Sequence, residues 1–160
     1  MRQLMVISAM SLFLAGCQVQ PPTIEVPGSQ LVADDSDVVW PRVLTFLGNQ
    51  GFDVVEADRE QGSILAIRQA YQDQGWAFCK PAPTRDRRND RSRRGRGRPV
   101  NRDALVTVNL QPGDDGTVVR QGVKFTEQLI NHFRNLPFTA GCRSLGTLET
   151  ALLEASAERP

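Results

Sequence analysis

Two alternating runs on either side of one turn constrain this chain more than anything else in it. Ala104 to Gln111 puts Val106, Val108 and Leu110 on one side of an extended backbone, and Thr117 to Thr126 does the same with Val119, Val123 and Phe125. Between them stands Pro112-Gly113-Asp114-Asp115-Gly116. Proline presets its own φ, glycine takes the left-handed region without penalty, and short acidic side chains bond to their own backbone, so the five residues reverse the chain. A period of two, a turn and a second period of two make an antiparallel hairpin with one apolar face. Something else in the chain must cover that face.

A second hairpin precedes it. Phe52 to Ala57 and Gly62 to Tyr71 read as strands, with Leu65, Ile67 and Tyr71 on one face of the second and Ile64 and Ala66 on the other. Asp58 to Gly62 supplies the turn. Helices flank the strands. The first starts near Ser36, where Asp34, Asp35, Ser36 and Asp37 provide cap and first-turn acids, and it places Trp40, Val39, Val43, Phe46 and Leu47 on one face. Pro41 lacks an N–H, so the helix either begins close to it or has a distorted first turn, and Gly48 and Gly51 end it. The last helix runs from Ser144 or Thr147 to about Ala157 on a stripe of Leu145, Leu148, Leu152 and Ala155. A short helical segment holding Leu129, Ile130 and Phe133 is expected between the second hairpin and the break at Pro137 and Gly141. The fold class is α+β: a small two-layer domain, a four-stranded antiparallel sheet with helices at both ends of the chain packed on one face. It spans residues 34–158, and no internal repeat is present.

Ahead of the domain lies a different chemistry. Arg2 is followed by an uncharged run, Leu4 to Leu14, then Ala15-Gly16-Cys17. A positive n-region, a short apolar h-region and small residues at a cut site are the layout of a secretory signal. The run is well short of the roughly 20 residues that span a bilayer. Leu14-Ala15-Gly16-Cys17 resembles the lipobox of bacterial lipoproteins. The resemblance implies that residues 1–16 are removed, that Cys17 carries a thioether-linked diacylglycerol, and that the new N-terminus is open to acylation. Two or three acyl chains hold a protein at a membrane durably, whereas one does so only marginally. By the sorting rule of that family, Gln18 rather than aspartate implies the outer membrane, on its periplasmic face. Residues 17–33, with Pro21, Pro22, Pro27 and Gly28, read as the lipidated cysteine and a polar spacer.

With Cys17 taken by lipid, two cysteines remain in an oxidising compartment, and Cys79 and Cys142 are expected to pair. Closing that loop is worth about 4 kcal/mol on the chain-entropy account. Neither a Cys-x-x-Cys motif nor a set of zinc ligands is available, since His132 is the only histidine.

Trp40, Val43, Leu47, Gly51-Phe52, Val54, Asp58-Arg59, Gly62 and Ile64 resemble the pattern of BamC-type outer-membrane lipoprotein domains: a helix with an aromatic, a glycine-started strand, an Asp-Arg turn and a second strand. The likeness covers roughly 30 residues. It implies a helix-grip-like α+β module with an accessory role in an envelope assembly, and it carries over no partner-binding residue. A single such module, an arginine-rich insertion and the cysteine pair depart from the family.

The insertion is Lys80 to Arg102, with ten basic residues and two acidic ones for a net charge of +8. The rest of the chain after Gly16 holds 8 basic and 16 acidic residues, a net of −8. A total near neutrality therefore conceals a bipolar molecule. Having almost no apolar residues, the segment is expected to be a disordered loop at about residues 80–102. Three readings of Arg85, Arg87, Arg88, Arg91, Arg93, Arg94, Arg96 and Arg98 stand side by side. They are a solvated insertion folding back on the acidic domain; a site for lipopolysaccharide phosphates, anionic phospholipid or an acidic protein; or, from Arg94-Gly95-Arg96-Gly97-Arg98, a contact for nucleic acid. Export and the lack of interleaved aromatics argue against the last.

No Gly-x-Ser-x-Gly, Walker loop, His-Glu-x-x-His or dinucleotide fingerprint occurs. No catalytic residue, metal site or cofactor is expected. His132 reads as a surface or packing residue, Trp40 as core, and Asp114-Asp115 as turn acids. The expected function is a non-enzymatic outer-membrane lipoprotein serving as an envelope binding or assembly-accessory module. The alternatives are a cell-envelope hydrolase, built on acids such as Glu56, Asp58 or Glu127, or an anionic-surface binder working through the arginines.

Overall fold

The structure is a computed structural model that describes residues 25–72, 74–79, 98–130 and 135–158. It is α+β, with two helices and an antiparallel sheet. The elements in chain order are β1 (Ser29–Val32), α1 (Ser36–Asn49), β2 (Asp53–Asp58), β3 (Ser63–Arg68), β4 (Ala77–Phe78), β5 (Arg98–Gly113), β6 (Gly116–Ile130), β7 (Pro137–Ser144) and α2 (Thr147–Ala157).

The hairpin read from the alternation is the spine of the molecule. β5 and β6 pair from Gly113↔Gly116 out to Arg98↔Ile130, with one irregularity between Pro99 and Asn101. β3 lies against Ala104 to Asn109 of β5, and β2 against β3. The other edge of β6 is shared: β1 takes Thr117 to Arg120, and β7 takes Phe125 to Ile130. The sheet thus has seven strands, not four.

Three of these strands, β1, β4 and β7, are additional to the two hairpins. β1, inside the residues read as spacer, is short and carries only Leu31 and Val32 as apolar residues; it exists because β6 offers an open edge. β7 covers residues read as a break, since Pro137 sits at its first position and Gly141 on its exposed side, where neither disturbs the ladder. β4 has two residues. Leu129 and Ile130, expected in a short helix, continue β6, and their register is set by β5 and β7 on either side. Phe133 lies outside the described residues. The arginine-rich loop also ends earlier than expected, because Arg98 to Arg102 already belong to β5.

One face of the sheet is dry. Ile64, Ala66, Val106, Val108, Leu110, Val119 and Phe125 meet Val39, Trp40, Val43 and Leu47 of α1 and Leu148, Leu152 and Leu153 of α2 in a single core. On β3 the buried pair is Ile64 and Ala66, whereas Leu65 and Ile67 are half-exposed on the outer face. Val123 is half-buried at the margin of the core. α1 is continuous through Pro41, whose ring faces solvent and whose missing N–H leaves no gap in the buried side. Its N-cap, Asp35, makes no side-chain cap bond; Asp34 instead accepts a hydrogen bond from Arg42 Nη1 at 2.7 Å, and Arg42 also donates to the carbonyl of Ser156 in α2. Arg42 therefore ties the residues ahead of α1 to the end of α2.

Gly62 has φ +65°, donates the turn into β3 and accepts from Leu110 N at 2.8 Å. A Cβ there would lie 2.1 Å from the Leu110 carbonyl oxygen. Gly62→Ala is therefore expected to lower stability by about 2–4 kcal/mol, since a left-handed strain and a backbone clash act together. Chemical denaturation checks this; a loss within about 0.5 kcal/mol would show that the two hairpins part freely.

Candidate functional site

Cys79 and Cys142 are joined by a disulfide, with 4.3 Å between their α-carbons. The ladder explains the short span. β4 pairs with β7 as Ala77↔Ser144 and Phe78↔Arg143, so the next step sets Cys79 opposite Cys142. Such close α-carbons are usual for directly opposed residues of an antiparallel pair. Cys142 in turn lies opposite Phe125 of β6.

The bridge fixes where the arginine-rich segment is rooted. Arg85, Arg87, Arg88, Arg91, Arg93, Arg94 and Arg96 lie outside the described residues, as do Cys17 and His132. The chain enters the segment from Cys79, level with Phe125, and returns from it at Arg98, level with Ile130. Arg98 is thus rooted at the end formed by the start of β5, the end of β6 and the start of β7, and Cys79 five residues short of it along β6.

Arg102, counted by sequence within the basic segment, has another role. It lies opposite Glu127 in the ladder, and its Nε donates to Glu127 Oε1 at 2.9 Å. The Glu127 side chain is only 6% exposed, so the guanidinium supplies the partner that a buried carboxylate requires. Asp103 beside it accepts from Ala70 N, Asn101 Nδ2 and Gln128 Nε2. The two carboxylates at this end are thus engaged locally.

The opposite end carries acid. The turns after β1, β2 and β5 bring Asp34, Asp35 and Asp37, then Asp58 and Glu60, then Asp114 and Asp115, to the far end of the same ladder. Arg42 and Arg59 pair with Asp34 and Asp37 there. A cleft of about 160 Å³ at this end is lined by Asp37, Trp40, Arg59, Glu60, Gly62 and Pro112, among others. A wider groove of about 420 Å³ runs between α1 and α2 along Arg42, Phe46, Asn49 and Ala155.

The acids named as a hydrolase signature do not converge. Glu56 is exposed on the edge strand β2, Asp58 accepts from Gln61 N in the turn, and Glu127 is buried three strands away against Arg102. None of the three lines either cleft. Trp40 is buried in the core, as its place on the helical stripe predicts.

Sequence reasoning missed an aromatic cluster around Trp76. Its ring stacks on Phe52 at 5.9 Å, meets Tyr71 at 5.6 Å, and carries the Arg68 guanidinium 5.1 Å above its centroid; Tyr71 then contacts Phe125. Gly75-Trp76 follows Gln72-Asp73-Gln74, a polar run with no periodicity, so its only signal was a lone tryptophan near a cysteine. This cluster holds the segment leading to β4 and the disulfide onto the core.

No protein-family model matches this chain. A search of curated proteins returned no significant match either. The site therefore rests on its own geometry: acidic turns toward one limit of the long hairpin, and the roots of the 80–97 segment, at Cys79 and Arg98, toward the other.

Proposed function

We propose that the chain is a non-enzymatic, lipid-anchored protein of the bacterial outer membrane, facing the periplasm, whose domain is an envelope binding module. Its partner is anionic: phospholipid or lipopolysaccharide phosphate, met by the arginines of residues 85–98. The likeness of the first helix and hairpin to BamC-type domains adds an assembly-accessory role to the same reading.

The observation that carries it is the separation of charge along the ladder. Ten residues of fully extended chain reach about 34 Å. The fourteen steps from Ile130 to Gly116 span about 46 Å. A segment rooted at both Cys79 and Arg98 is too short for its middle to reach the Asp114-Asp115 turn at the far end. Neutralisation by that turn is out of the middle's reach, which favours an external anion as the partner of the arginines. Arginine suits that task through paired donors to phosphate.

Attraction of this kind is screened, because the Debye length falls from about 10 Å at 0.1 M salt to about 3 Å at 1 M. Binding of the chain to anionic vesicles or lipopolysaccharide should therefore collapse over that range. Replacing the eight arginines by glutamine should abolish it, while the thermal midpoint moves little. Equal binding by the substituted chain would leave the segment as a solvated insertion. Unfolding would show that the opposed charges hold the domain together.

A further inference from the structure

The geometry points to a second, apolar contact with the same bilayer: the sheet end formed by Pro99 and Val100 of β5 with Leu136 and Pro137 at the start of β7. This inference rests on the anionic-surface reading above and adds to it an orientation and a surface. Val100 is 54% exposed and Leu136 58% exposed, and both prolines are exposed as well. Arg98↔Ile130 and Ile130↔Pro137 bring the three strands side by side at this limit of the sheet. Apolar side chains beside a basic segment are what an interfacial surface requires: charge draws the domain to an anionic bilayer, and the apolar tip enters the headgroup boundary.

The remaining exposed apolar residues do not fit that partner. Leu31 and Val38 sit at the acidic turn end, and Val54 and Val55 lie between Asp53 and Glu56 on β2. An anionic surface repels those carboxylates. At the Val100 and Leu136 end the two nearby acids, Asp103 and Glu127, are already bound to neighbouring groups.

The tether heads the same way. β1 is antiparallel to β6, with Ser29 opposite Arg120, and Gly28 accepts from Gln121 N, so the preceding residues leave toward Val123 and the Ile130 end. Val26 packs on the core along that path. Eleven residue-to-residue steps separate Cys17 from Gly28. At about 3.1 Å per residue in a proline-rich extended form they reach about 34 Å. The nine steps from Gln121 to Ile130 need about 30 Å. A lipid on Cys17 and the apolar tip can therefore share one surface, with the acidic turns directed away from it.

The test places one environment-sensitive fluorophore on Leu136→Cys or, as a second site, Val100→Cys, and another on Asp115→Cys, in the full chain. Each protein, lipidated or added free, is bound to phosphatidylcholine–phosphatidylglycerol vesicles whose acyl chains carry a quencher. The expected result is a blue shift and strong quenching at positions 136 and 100, with position 115 at its value in solution. Probes at 136 and 100 quenched no more than the probe at 115 would overturn the proposal, even if salt-sensitive binding persists and the arginine reading stands. Quenching at 136 that survives replacement of the eight arginines would keep the apolar contact and remove the arginine reading instead.

Discussion

Replacing Cys142 by serine is expected to lower the stability of the domain by about 4 kcal/mol, the entropy recovered when a 63-residue loop is opened. In a domain of this size that corresponds to a fall of roughly 15 °C in Tm. The structure also gives the loss a location. Beyond the bridge, β4 is held to β7 by only two residue pairs. The chain just before it carries Trp76, whose carbonyl accepts from Leu145 N and whose ring closes the core over Phe52 and Tyr71. Freeing Cys79 should therefore expose Trp76 before the sheet melts, seen as a red shift of tryptophan emission on adding reductant. Unchanged emission and an unchanged Tm would show that β4 is held by the aromatic cluster alone. Two free thiols in the denatured, unreduced protein after export would reject the bridge itself.

The other large effect concerns the proposed anchor. Cys17→Ser should abolish incorporation of a palmitate analogue, because only a thiol forms the thioether to lipid, and the protein should then be found unprocessed or outside the membrane fraction. Two or three acyl chains make release negligible, while none leaves only the basic and apolar contacts of the sheet end. Equal labelling of parent and variant would end the lipoprotein reading. It would leave the disulfide untouched, since Cys79 and Cys142 lie in the described residues of the domain.

The parts of the fold legible in the sequence are those whose signal is local. Val106, Val108 and Leu110 facing Val119 and Phe125 across Pro112 to Gly116 needed nothing beyond the pleat of a strand and the chemistry of a turn. The stripe from Val39 to Leu47 and that of Leu148 and Leu152 needed only the helical period. β7 escaped because Pro137 and Gly141 are breakers in isolation and become harmless on an exposed strand edge. The continuation of β6 through Leu129 and Ile130 escaped for a related reason: two apolar neighbours fit a helix as well as a strand until a partner sets the register. Glu127 looked like a candidate catalytic acid, and Arg102 like one more residue of a basic run. Their pairing depends on two strands meeting in one register.

The same division holds for function. Sequence by itself determined the uncharged run ahead of Cys17, the two cysteines at 79 and 142 and the opposed charges of +8 and −8, because each is a matter of residue type and order. Composition has no direction, however, and it left open whether the arginines lie back on the acids. Only the tertiary structure decided where the segment is rooted, at Cys79 and Arg98, and turned Asp114 and Asp115 out at the other limit of β5 and β6. The physical reason is register: which residues of β5, β6 and β7 stand level depends on strand pairing across the sheet, which no single stretch of residues carries alone.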